Sequence, residues 1–96
     1  MKDKVLENIE KKKFYALVSI TSTSNHINYI NFYMDKSNAE KALTDIYNEL
    51  KKPNIYTTDP ILRIDDRYLN TSPNVIIAYY KGYNVLYQIS EKYFND

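Results

Sequence analysis

A chain of 96 residues is the size of one domain, with room for one sheet packed against one or two helices and none for a second site-bearing unit. Thirteen basic residues against twelve acidic ones leave a net charge of +1, so no global field draws the protein onto nucleic acid or an anionic membrane. The absence of cysteine removes disulfide frameworks, thiolate nucleophiles and cysteine-ligated zinc together.

The opening segment "MKDKVLENIEKKK" places Val5, Leu6 and Ile9 at helical spacing behind a capping Asp3, which predicts a short helix over about residues 3–12. It lacks the apolar stretch of a signal peptide, and no run in the chain approaches the ~20 apolar residues of a membrane span. The expectation is a soluble, cytoplasmic protein without membrane contact. From Phe14 to Thr21 the period becomes two, with Phe14, Ala16, Val18 and Ile20 on one face and Tyr15, Leu17, Ser19 and Thr21 on the other. A polar loop follows. Alternation resumes from Ile27 to Met34, so the two strands are expected to pair as an antiparallel hairpin.

"SNAE" at Ser37 to Glu40 has the form of a capping box, in which each of the two side chains would satisfy the other residue's backbone N–H. Ala39, Ala42, Leu43, Ile46, Tyr47 and Leu50 then make one apolar helical stripe, which Pro53 ends. "ILRID" at residues 61–65 predicts a short strand and "DRYLNTSPN" a loop. The last signal, "VIIAYYKGYNVLYQI", predicts two strands joined through Lys81 and Gly82, with a turn of helix or a frayed tail after Ser90. A helix over Val85 to Tyr93 competes for the same residues, since Val85, Leu86, Ile89 and Tyr93 also share a helical face. The predicted fold is α+β, residues 1–96 as a single domain, with a mostly antiparallel sheet of about five strands and two helices in the order αββαβββ.

The sequence contains little that could carry a reaction. His26 stands alone in a polar loop, and the consecutive Asp65 and Asp66 point to opposite faces of a strand rather than at one ion. A single glycine excludes the phosphate-cradling loops of nucleotide-binding folds. The expectation is a protein that is not an enzyme and uses no cofactor or metal. Eleven tyrosines, eleven asparagines, eleven isoleucines and eleven lysines are what an AT-rich genome encodes, which weakens the tyrosine excess as a sign of binding.

The sheet faces say more. A two-residue turn at Lys81 and Gly82 pairs Tyr80 with Tyr83, Ala78 with Val85 and Ile76 with Tyr87, giving a core face that also takes Ile89. The opposite face, with Val75, Ile77, Tyr79 and Leu86, is too apolar for water alone, and strands one and two are expected to extend it with Tyr15, Leu17, Ile27, Tyr29 and Tyr33. Val5, Leu6 and Ile9 would cover only part of it. The candidate partner-binding residues are therefore Tyr15, Tyr29, Tyr33, Ile77, Tyr79, Lys81, Tyr83 and Leu86.

"INYINFYMDKSNAEKALTDIYNEL", followed by "LRIDDRYL", resembles the small β-β-α-β proteins encoded by phages and other mobile elements. The resemblance implies host-takeover or anti-defence factors, anti-CRISPR proteins among them, which inhibit or modulate a host protein by stoichiometric binding. They share no catalytic motif, so no residue role carries over. Two further readings stand beside it: a nucleic-acid-binding domain using Lys11 to Lys13, Tyr15 and Lys81, and a homodimeric assembly protein.

Overall fold

Strand pairing organises the molecule, and its register fixes which residues share a face. The structure is a computed structural model that describes residues 12–52 and 60–94. Strands β1 (Lys13–Thr21), β2 (His26–Tyr33), β3 (Arg63–Tyr68), β4 (Val75–Tyr80) and β5 (Tyr83–Tyr93) form one sheet in the order β2-β1-β5-β4-β3, every neighbouring pair antiparallel. One helix, α1 (Lys36–Lys51), connects the first hairpin to the rest and lies on one face.

β-branched and aromatic residues at period two favour these strands. Asn25 takes a φ of 52° in the loop before β2, and Gly82 a φ of 88° in the turn between β4 and β5, where a side chain would be strained. The pairing expected of a two-residue turn is realised there, with Tyr80 opposite Tyr83. In β2 the register slips opposite Ser19 and Ile20, and Asn28 is the extra residue. Its amide nitrogen donates to Ser19 Oγ at 3.1 Å while its amide oxygen accepts from the Thr21 hydroxyl at 3.3 Å.

The core lies between α1 and the sheet. Ala39 and Leu43 of the helix meet Tyr15, Leu17, Ile76 and Ile89, with Tyr33, Ala42, Ile46, Tyr47, Leu50, Ile64, Leu69 and Tyr87 around them. Every position of the expected helical stripe therefore faces the sheet, and the expected core face of β4 and β5 is the one the helix covers.

Several expectations are corrected. The described residues hold five strands and a single helix in the order ββαβββ, not the two helices of αββαβββ, and that one amphipathic helix packs on the buried core. The helix expected over residues 3–12 falls, apart from Lys12, outside the described residues. Asp66, Arg67 and Tyr68 belong to β3 rather than a loop, because β4 carries the pairing on to Tyr68↔Val75; Arg67 bonds Asp65 at 2.8 Å, and Asp66 accepts from the Tyr47 hydroxyl of α1. β5 runs to Tyr93, neither helix nor frayed tail, because β1 pairs with it from Thr21↔Val85 to Lys13↔Tyr93.

The capping box is not formed. The helix begins at Lys36 behind Asp35, whose carbonyl accepts from the Ala39 N–H at 3.3 Å. Glu40 lies too deep in the helix to reach back, and it accepts instead from Asn74 Nδ2 at 3.1 Å, tying the helix to the sheet.

Candidate protein-binding face

Pairing across the sheet assigns each side chain to the helix side or to the opposite, open side. Tyr15 pairs with Tyr33, Leu17 with Asn31 and with Ile89, and Ser19 with Tyr29 and with Tyr87, so all of these share the helix side. Phe14, Ala16, Val18 and Ile20 of β1 then stand on the open side beside Ile27, Ile30 and Phe32 of β2. On the other flank of β5, Val75, Ile77 and Tyr79 of β4 pair with Gln88, Leu86 and Asn84. Among the described residues no element crosses this face.

Its composition runs in bands. An apolar band on β1 and β2 is followed by a polar strip of Asn84, Gln88 and Ser90 interrupted by Leu86, then a second apolar band on β4, then the charged edge β3. Phe32 is 66 % exposed, Ile27 52 % and Ile30 43 %. At β3 the charges are matched in place: the Arg63 guanidinium lies 4.1 Å from the Tyr79 ring centre, and hydrogen bonds from Arg67 hold the Asp65 carboxyl below its ordinary range. The face therefore alternates apolar and polar bands, with its exposed rings on the β2 side and its charges pre-paired at the β3 edge.

One corner concentrates the apolar surface. The three phenylalanines of the chain gather there: Phe14 meets Phe32 edge-on at 5.8 Å between ring centres and Phe94 at 4.9 Å. The Phe94 N–H donates to the Lys12 carbonyl at 3.1 Å, which brings the end of β5 against the start of β1. Phe94 remains 45 % exposed, so the cluster leaves aromatic surface in contact with solvent.

The structure divides the expected binding residues between the two sides. Ile77, Tyr79 and Leu86 stand on the open face, and Lys81 is exposed in the turn. Tyr15 is buried in the core at 7 % exposure, as is Leu17, so neither extends the open face as expected; their pairing with Tyr33 and Ile89 turns them under the helix. Tyr29 and Tyr33 also lie on the helix side, where burial pushes the Tyr29 hydroxyl's pKa up and the neighbouring Tyr33 adds to the shift. Tyr83 stacks on Tyr80 at 4.8 Å, again on the helix side. Sequence reasoning missed the phenylalanine corner. Phe14 shares parity with Val18 and Ile20 in the sequence, but period two does not say which face the helix takes.

Among the described residues, Lys13 and Lys81, considered for nucleic acid, stand far apart. Lys13 pairs with Glu91 at 3.5 Å, which raises its pKa, and the adjoining Tyr15 is buried. Lys81 lies beyond Tyr83, at the end of β5 remote from Tyr93, so the eleven residues of β5, ten steps of about 3.3 Å, put it about 33 Å from Lys13. His26 begins β2 opposite Thr21, and among the described residues no three His, Asp or Glu side chains gather as a metal site would need. No helix among them is long and apolar enough to cross a membrane. Comparison with protein families, curated proteins and solved structures finds no match for the chain.

Proposed function

We propose that this chain is a non-enzymatic binding protein that engages a protein partner stoichiometrically through the open face of its sheet. The observation that carries the reading is the phenylalanine corner: three packed rings, beside Ile27 and Ile30, on a sheet face that no element crosses among the described residues. Surface of this kind is costly to leave in water, and aromatic anchors within an apolar patch supply most of the energy of protein interfaces. Tyr79, braced by Arg63, adds a ring with a polar tip at the far band. The resemblance to phage and mobile-element proteins supplies the biological form of the proposal, in which the partner is a host protein that binding inhibits or modulates.

Affinity capture from an AT-rich bacterial host is the direct test. Wild-type protein and a Tyr83→Phe control, altered on the helix side, are expected to retain the same partner at fixed stoichiometry. Phe32→Ser combined with Tyr79→Ala is expected to weaken that association at least about tenfold, or about 1.4 kcal/mol. Equal retention by the double variant, with its fold intact by circular dichroism, sinks the assignment of this face.

A further inference from the structure

The two edges of the sheet differ sharply. β3 carries Arg63, Asp65, Asp66 and Arg67 among its six residues, and its pairing with β4 is irregular between Asp65 and Tyr68. Charge, shortness and irregularity are the devices by which sheet edges avoid pairing with other chains. β2, the other edge, has none of the charge: "HINYINFY" contains no Lys, Arg, Asp, Glu or Pro, and its first seven residues are exposed. Its one irregularity, at Asn28, leaves Tyr29–Tyr33 as a regular run. Among the described residues β1 is its only partner, so the outer backbone groups of this run face away from the sheet.

The run is also complementary to itself. Antiparallel pairing centred on Asn31 sets Asn31 opposite its own copy, Ile30 opposite Phe32 and Tyr29 opposite Tyr33, each pair on a common face. Aromatic residues meet aliphatic or aromatic ones, and no like charges oppose. Centring on Ile30 instead would set Phe32 against the irregular Asn28. We infer that two copies of this chain pair through β2, antiparallel about a twofold axis at Asn31, to make one continuous ten-stranded sheet. The axis is perpendicular to the sheet, so both helices lie on one side and both open faces on the other. Ile30 and Phe32 of each copy then interleave, and two phenylalanine corners become one apolar surface. This goes beyond the binding reading above and does not depend on a partner being found.

The chain's lack of cysteine gives a clean test. Residues opposite one another in an antiparallel pair stand about 4.5–5.5 Å apart at Cα, within disulfide range, whereas a two-residue offset puts them at about 8 Å, outside it. Under mild oxidation Asn31→Cys should convert most of the protein to a covalent dimer, while Phe32→Cys and the helix-surface control Lys41→Cys should not. By light scattering at tens of micromolar the wild type should weigh twice its 11.4 kDa, and Asn31→Lys, which sets two ammonium groups together at the axis, should weigh half of that dimer. The inference is overturned if the wild type stays monomeric at several hundred micromolar. It is equally overturned if Asn31→Cys crosslinks no faster than Lys41→Cys, which would assign any dimer to another surface.

Discussion

Asn74 is 4 % exposed at the start of β4, and it holds two parts of the molecule at once. Its carbonyl accepts from the Ile89 N–H at 3.0 Å, and its side chain donates to Glu40. Removing the amide leaves the Glu40 carboxylate without its donor in a part-buried site, so Asn74→Ala should cost roughly 1–3 kcal/mol in urea denaturation. A loss below about half a kcal/mol would show that water replaces the bond freely. Tyr87 is the second instructive residue. Burial pushes its hydroxyl up to about 12 from an ordinary value near 10, with Tyr80 and Tyr29 adding to the shift. Because the folded value is the raised one, its stabilising effect is complete below pH 10 and is lost as the pH rises from about 10 to about 12. Ultraviolet titration should therefore show a late tyrosinate component that Tyr87→Phe removes; a wild-type curve complete by about pH 11 contradicts the shift. Neither residue announces itself in the sequence, where Asn74 looks like a loop end and Tyr87 like one of eleven tyrosines.

At the scale of elements, α1 shows where local pattern is sufficient and where it is not. Its apolar stripe predicts the buried face correctly, because period 3.6 is intrinsic to the helix and Ala39 and Leu43 could face only the sheet. The cap depends on the chain entering the helix, and Asp35 precedes the "SNAE" motif by two residues. Ser37→Ala should accordingly change stability by less than about 0.5 kcal/mol, against the 0.5–2 kcal/mol of a working cap. Chemical denaturation separates the two, and a larger loss would restore the capping box. β3 and the end of β5 illustrate the opposite limit: their residues are polar, and what makes them strands is a neighbour distant in sequence. Tyr93 is extended because Lys13 lies beside it.

For the whole molecule, the strand faces are legible in sequence for the terminal hairpin and ambiguous for the first. Tyr80, Ala78 and Ile76 can be matched to Tyr83, Val85 and Tyr87 from the turn alone, and the structure keeps that pairing. In β1 both parities are apolar, so only the helix crossing decides that Leu17 is core and Phe14 is not. The candidate face is thus half visible before folding is considered, with Ile77, Tyr79 and Leu86 found and the three phenylalanines overlooked.

The position of β5 has a consequence for how this chain is made. It is the last strand described and also the middle one, joining β1 on one side to β4 on the other. While the chain is being synthesised, β1 with β2 and β3 with β4 can form only as separate hairpins, each too small to hold a core. The helix has half a floor until residues 83–93 emerge, so the domain gains its cooperative stability in one late step. Before that step the inner flanks of β1 and β4 lack, among the described residues, the strand that pairs with both, and an unpaired strand edge is a template for pairing with another chain.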